Sequence, residues 1–286
     1  MLKPLVSICI PVYNTVNYIE ETINCFLNQT YKNIEIIITD DCSNDGTWEL
    51  LLAKYSKNSI LRLFKNDINL GIGDNWNVCY EKCLGDYVII ANADDLYNIN
   101  FVQKAIDMFQ SNEKIEYIVC AYDIISNNKE IIEIPKFFIE TPKGMLTKQF
   151  EIDFFINPFL NQFSIGKKIV FDKNRCIDGR LFLPTQVCDF ELRLRLAKSN
   201  TQTYFLSEIL GSYRRHNNNA SSKRYGELKS YYSIINNYHF YLKENYYLKY
   251  LVYRFKLFKI LLKDLVKKPI GFEFKLLFLS FKHLIR

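Results

Sequence analysis

The sequence has no CxxC pair. Its eight cysteines, at positions 9, 25, 42, 79, 83, 120, 176 and 188, are scattered, and several lie inside apolar patterns, as Cys9 does in VSICIP. That distribution fits reduced, buried thiols in a cytosolic protein rather than a disulfide framework. No apolar run approaches the roughly 18 residues that would argue for a membrane span. There is no internal repeat and no low-complexity linker, and residues 1–4 lead straight into a strand pattern, so no signal peptide is expected. A strong charge excess is also missing from residues 1–248, which sum to −2. The overall +6 comes from residues 249–286, where ten Lys or Arg meet only Asp264 and Glu273, a local +8. This balance argues against a nucleic-acid-binding body and for a tail that meets something anionic.

What remains is an ordinary globular composition. The 286 residues are 49% hydrophobic and 24% charged, enough for one large domain or for one domain with an appendage. The first half alternates strand and helix signals. Short apolar runs at LVSICIP (5–11), IEIIITD (34–40), LRLFKN (61–66), DYVIIAN (86–92) and EYIVCAYD (116–123) read as strands. Between them, residues 17–29, 46–57, 73–84 and 101–111 read as helices, the second capped by Asn44 or Asp45. Strands that are apolar throughout and separated by helices predict an α/β, Rossmann-like, mainly parallel sheet flanked by helices. Its ligands belong beyond the carboxyl ends of the strands. Polar residues and glycines gather at four such ends: PVYN (11–14), TDDCSNDGT (39–47), NDINLGIGDN (66–75) and NADD (92–95).

The second half is less regular. Residues 129–135 read as a strand, 147–157 as a helix, 163–176 as a turn and a β-like run, 189–199 as a helix and 202–210 as a strand. GSYRRHNNNASSKRYG (211–226) reads as a polar loop. From about 227 the pattern is helical to the end, broken at Pro269 and Gly271. Lys256, Lys259, Lys263 and Lys267 share one helical face, opposite a stripe containing Leu251, Phe255, Phe258, Leu262 and Leu265. A basic amphipathic helix of this kind suits an anionic membrane surface. The alternative is that the stripe packs on the preceding domain or on a second subunit of a homo-oligomer.

Asp94 and Asp95 close the fourth strand, where unpaired carboxylates are costly. They could cap the next helix or form a turn. The chemical alternative is a divalent cation site, since hard oxygen ligands suit Mn²⁺ or Mg²⁺ shared with phosphate oxygens.

The ordered set VSICIPVYNTVNYIEETINCFLNQTYKNIEIIITDDCSNDGT, NLGIGDNWN, CLGDYVIIANADD, CDFELRLRL and YRRHNNNASS resembles the inverting family-2 glycosyltransferases of the GT-A fold, across roughly residues 4–222. The resemblance implies a glycosyltransferase domain over 1–224, with a nucleotide-sugar-binding half (1–123) and an acceptor half (124–224). A helical extension over 225–286 lies outside it. It implies that Pro11, Tyr13 and Asn14 line the base and ribose, that Asp41 accepts a hydrogen bond from a uracil or thymine N–H, and that Gly71 allows close approach of the nucleotide. Asn77 falls in the same donor-binding segment. Asp94 would hold the ribose or share the metal, and Asp95 would bind Mn²⁺ or Mg²⁺ at the diphosphate. The family often has an acid where Asn92 stands, and a second acid where Cys188 precedes Asp189. Asp189 is the expected general base, with a helix N-cap as its structural alternative and Glu191 as the fallback base. Arg214 and Arg215 would hold the leaving diphosphate, with His216 a further metal ligand.

The implied reaction moves a sugar from a nucleoside diphosphate donor, foremost a UDP-sugar, to a surface glycan or lipid-linked acceptor. It would run in the cytoplasm, at the inner face of the membrane. Two rivals stand beside it. A nucleotidyltransferase usually needs a Gly-rich, basic loop after strand one, and PVYNTVNY contains no Gly, Arg or Lys. A degenerate sugar-nucleotide-binding subunit is suggested by Asn92 and Cys188.

Overall fold

The structure, a computed structural model, describes residues 3–141, 143–146, 163–185, 187–216 and 219. The helix expected over 147–157, everything expected after residue 219 and the boundary near 224 lie outside the described residues.

The first half folds as its periodicity dictates. Strands β1 (Val6–Val12), β2 (Ile34–Asp40), β3 (Leu61–Lys65) and β4 (Tyr87–Ile90) alternate with helices α1 (Ile19–Leu27), α2 (Thr47–Tyr55) and α3 (Ile72–Tyr80). β5 (Leu96–Tyr97), α4 (Phe101–Ser111) and β6 (Tyr117–Ile125) follow. Then come β7 (Ile131–Glu133), α5 (Lys136–Glu140), β8 (Gly144–Met145), β9 (Ser164–Lys167), α6 (Lys168–Lys173), α7 (Cys188–Lys198) and β10 (Thr203–Arg214). α1 turns Ile19, Ile23 and Phe26 into the core and α4 turns Phe101, Ala105, Ile106 and Phe109, the 3.6-residue spacing of amphipathic helices. The N-cap of α2 is Gly46, not the expected Asn44 or Asp45, and Asp45 just before it accepts the backbone N–H and the hydroxyl of Thr47.

Among the described residues the strands form one sheet in the order β3-β2-β1-β4-β9-β6-β10-β5, with β7 on β6 and β8 on β10. β3, β2, β1 and β4 are parallel, as expected. The rest is mixed: β9 runs antiparallel between β4 and β6, while β6 and β10 pair in parallel. An antiparallel wedge between two strands leaves both pointing the same way. The carboxyl ends of β1, β2, β3, β4, β6 and β10 therefore share one edge of the sheet. β1, β2 and β6 are buried along their whole length, so both sheet faces are covered.

Two expectations are corrected. The turn expected at Gly166 is inside β9, where Gly166 pairs with Val88 and Tyr117, and residues 168–173 of the expected β-like run are the helix α6, in which Val170 and Phe171 are buried and Lys168 pairs with Asp172 one turn on at 2.9 Å. The polar loop expected from 211 begins later, because β10 continues to Arg214. Gly211 and Ser212 pair with β5 and Tyr213 and Arg214 with β6, so sheet pairing overrides the polar character of the stretch.

Candidate active site

β4 delivers its carboxylates to the shared edge, and the two separate sharply. Asp95 is 0% exposed. Its carboxylate accepts the Arg214 backbone N–H at 2.9 Å and the Asn92 side-chain amide at 2.8 Å. Burial, and after it the charge of Asp94, push the Asp95 carboxyl well above the ordinary carboxylate range, against the pull of those two donors. The Asp94 side chain keeps 21% exposure and meets His216 Nε2 at 3.0 Å and Asn219 Nδ2 at 3.1 Å. Sequence reasoning favoured Asp95 as the principal metal ligand. In the structure Asp95 faces inward with both oxygens engaged, and Asp94, partly exposed, lies beside His216. Asn92, which breaks the acidic pattern, acts as a donor. An aspartate there would set a second carboxylate against Asp95.

The His216 ring stacks on Tyr18 at 4.3 Å, and its backbone N–H donates to Asn219 Oδ1 at 2.6 Å. Asn219 in turn donates to the Arg214 carbonyl at 3.0 Å. Tyr18 and Asn219 were not singled out from the sequence. Asn219 was within the quoted YRRHNNNASS, but the string gives no means of choosing among its three asparagines.

The two arginines of that segment also part. Arg215 is exposed. The Arg214 side chain is 3% exposed and binds the Asp94 carbonyl at 2.9 Å, the Asn127 carbonyl at 3.3 Å and the Glu21 carboxylate at 2.5 Å. Arg214 was expected to hold a diphosphate. Its guanidinium instead ties α1, the turn after β4 and the β6–β7 turn to β10.

At the ends of β1, β2 and β3, Asp41 is buried and organises the loop before α3. Its Oδ1 accepts the Leu70 N–H at 2.8 Å and the Asn66 amide at 2.9 Å, and its Oδ2 accepts the Gly71 N–H at 2.9 Å. A carboxylate offers about four acceptor positions, so Oδ2 has room for a further donor. Gly71 has φ 84° and ψ 167°, a conformation open essentially only to glycine, and the space above it is empty. Pro11 is buried at the end of β1, and Tyr13 beside it is 48% exposed. Asn14 is exposed, and its side-chain oxygen accepts the Asn44 N–H at 2.9 Å.

Asn77 turns away from this group. Its amide oxygen accepts the N–H groups of Leu181 and Phe182 at 3.0 and 2.8 Å, and its amide nitrogen donates to the Phe182 carbonyl at 2.7 Å. α3 also presses on the next residues, since a Cβ on Gly73 would lie 2.0 Å from the Leu183 carbonyl oxygen. Asn77 and Gly73 thus seat the loop that leads into α7.

α7 brings Asp189 to the crevice. The residue lies in the first helical turn, after Val187 at the N-cap, so it is not itself the cap. Its side chain is 28% exposed and meets Arg193 Nη2 at 2.5 Å. Glu191, the fallback base, is buried and bridged to Arg195 Nη2 at 2.8 Å, while Arg195 also reaches the carbonyls of Asn174 and Leu181. That carboxylate pins the 174–181 loop. Cys188, where a second acid was looked for, is packed in the core. A cleft open to solvent is lined by Ile90 at the end of β4, Asn92 just after it, Trp76 and Phe182, and Asp189 and Arg193 from α7.

Among the described residues no three His, Cys, Asp or Glu side chains gather as metal ligands. The Asp94–His216 pair fits the kind of cation that takes one or two protein ligands and completes its shell with phosphate oxygens and water. Its imidazole nitrogen favours Mn²⁺ over Mg²⁺.

A crevice along the carboxyl edge of a mixed α/β sheet, with carboxylates from β4 on one wall and an acid on a later helix opposite, defines a GT-A glycosyltransferase architecture. Solved structures share it. TarS residues 1–349 of S. aureus, in complex with UDP-GlcNAc, superpose with a TM-score of 0.72 at 17% identity, over 97% of this chain and 79% of that one. The mannosyltransferase PcManGT of Pyrobaculum calidifontis, in complex with GDP-Man and Mn²⁺, gives 0.65 at 12% identity, over 100% of this chain and 86% of that one. The chain belongs to glycosyl transferase family 2, whose model matches residues 7–173, and it is a glycosyltransferase. An uncharacterised glycosyltransferase of Rickettsia prowazekii is 30% identical over 80% of this chain and 70% of its own length. The TuaG protein of Bacillus subtilis, a putative teichuronic acid biosynthesis glycosyltransferase, is 26% identical over 79% of this chain and 85% of its own.

Proposed function

We propose that this glycosyltransferase moves a sugar from a UDP-sugar onto a hydroxyl of a growing surface glycan or lipid-linked acceptor, with inversion at the anomeric carbon and a divalent cation at the diphosphate. The observation that carries the reading is the cleft with Asn92 on one wall and Asp189 on the other, next to the partly exposed Asp94. Tyr13, Pro11 and Asn14 flank the nucleoside, and the remaining acceptor position on Asp41 takes the uracil N–H. The open backbone at Gly71 lets the nucleotide lie close. Asp94 and His216 would hold the cation, which neutralises charge on the departing diphosphate. Arg215, exposed at the same edge, supplies a second positive charge there. The acceptor hydroxyl would enter this cleft beside Asp189. Asp189 removes the hydroxyl proton as the oxygen attacks from the side opposite the nucleotide. TuaG and the TarS complex support this choice of donor and acceptor class by analogy.

A thermal-shift panel of nucleotide sugars with and without Mn²⁺ tests the reading. A donor present at about 100 times its Kd stabilises by about 2.7 kcal/mol. In a protein of this size that is a rise of roughly 5–10 °C. The Mn²⁺-dependent part of the rise should vanish in Asp94→Asn. No shift with any nucleotide would sink donor binding.

No helix among the described residues is long and apolar enough to cross a membrane. The basic tail is proposed to dock the enzyme on an anionic inner membrane face, where lipid-linked acceptors lie. Co-sedimentation with vesicles containing anionic lipid should fall when Lys256, Lys259, Lys263 and Lys267 are changed to Gln. Unaltered sedimentation would assign the tail to protein contacts.

A further inference from the structure

The buried carboxylates among the described residues are Glu35, Asp40, Asp41, Asp95, Asp123 and Glu191. All but one take a donor. Glu35 accepts the Leu84 N–H at 2.6 Å, Asp40 the Ser43 N–H at 3.0 Å, Asp41 the Leu70 N–H, Asp95 the Arg214 N–H and Glu191 the Arg195 guanidinium. Asp123 is the exception. It is 7% exposed, and its Oδ1 is shut off from solvent and accepts no hydrogen bond from the described residues. A carboxylate buried in that state is costly, and interiors keep few of them. Its place in the fold gives no return for that cost, because it ties no element to another.

Asp123 stands near the carboxyl end of β6, on the sheet edge that β4 also presents. Register shows which face it occupies. Tyr117 pairs with Gly166 and Val119 with Ser164 on β9, and Tyr117 and Ser164 both line the cleft that holds Asp189. Side chains alternate along a strand, so Tyr117, Val119, Ala121 and Asp123 share that face. Tyr122, one residue earlier, turns to the other face and meets the Phe163 ring at 5.0 Å. In the proposed donor pose the nucleoside lies over β1 to β3 and the diphosphate at the end of β4. The transferred sugar then extends away from β1, and the strands on that side are β9 and β6.

We infer that Asp123 is a donor-sugar-binding residue, whose carboxylate accepts a hydroxyl of the sugar being transferred. The inference rests on a nucleotide-sugar donor lying along the crevice. An ionised carboxylate only accepts, so it favours a neutral sugar with a free hydroxyl at this place over a uronic acid with its acid there. The sequence hid the residue, because Asp123 closes EYIVCAYD and reads as the polar end of a buried strand. Only the pairing of β6 with β9 sets it on the face of the cleft.

The test is calorimetric binding in the presence of Mn²⁺, comparing the wild type with Asp123→Asn and Asp123→Ala. The two titrants are the nucleotide sugar that gives the largest shift in the thermal panel and the nucleoside diphosphate it contains. Losing a hydrogen bond to a charged group should weaken the nucleotide sugar by roughly tenfold to a hundredfold in both variants. The nucleoside diphosphate, which has no sugar to present, should bind all three proteins alike. The midpoint of Asp123→Asn without ligand should not fall, since the free protein loses no bond. Either variant suffices if the other does not fold. Unchanged affinity for the nucleotide sugar would overturn the inference. So would an equal loss for both titrants, which would assign Asp123 to the fold. A wild type that binds neither titrant would instead remove the donor reading itself.

Discussion

Asp189→Asn should lower the rate of sugar transfer by about 10²–10⁴-fold, the usual contribution of a positioned general base. The substitution keeps the shape of the side chain and one acceptor oxygen for Arg193 but removes a counter-charge of that buried guanidinium, so the thermal midpoint should fall by several degrees and the rates are compared at a temperature where both proteins stay folded. Donor binding should also persist, because Asp41, Gly71 and Asp94 belong to a different part of the crevice. Glu191 cannot take over, since it is buried and bridged to Arg195. UDP release in a coupled assay, beside the thermal shift with the same donor, separates chemistry from binding. Unchanged turnover would remove Asp189 from the reaction. An inactive wild type that still binds donor would favour the sugar-nucleotide-binding subunit.

The largest effect on stability is expected at Arg214. Arg214→Met strips hydrogen bonds from the Asp94 and Asn127 carbonyls and an ion pair from Glu21. Removing one member of a buried charge pair costs about 3–5 kcal/mol. Because Glu21 is 35% exposed, we place the loss near the lower figure, about 3 kcal/mol, or roughly 6–12 °C in the midpoint. Arg215→Met, one residue on and exposed, should stay within about 0.5 kcal/mol while weakening donor binding. Urea melts of the two variants make the comparison. Equal stability would mean that the Arg214 contacts do not hold the site together.

The parallel half of the fold was legible because buried strands and amphipathic helices write their periods into the sequence. IEIIITD is apolar in its middle and its strand bounds are those observed, Ile34–Asp40. β10 was cut short because Ser212 and Arg214 look like loop residues until β5 and β6 are known to receive them. The site residues were legible as types and much less so as roles. Asp94 and Asp95 are adjacent, and no local pattern says which faces the core. That depends on the backbone N–H of a residue 119 positions away. Arg214 and Arg215 differ in the same way, since β10 turns one inward and leaves the other in solvent. Asn77 carries the chemistry of a ligand residue, and only the position of Leu181 and Phe182 shows that it holds a loop.

The bond from the Arg214 N–H to Asp95 has a bearing on the order of events at the ribosome. Asp95 leaves the exit tunnel long before its partner. At about 5–20 residues per second, the intervening chain takes roughly 6–24 s to be made. During that interval the β1–β4 layer can assemble, while the Asp95 carboxylate stays hydrated and His216 is not yet beside Asp94. The parallel β3-β2-β1-β4 layer thus exists before the strand that completes the sheet beside it. A nascent or truncated chain ending before β10 would hold donor poorly and transfer nothing.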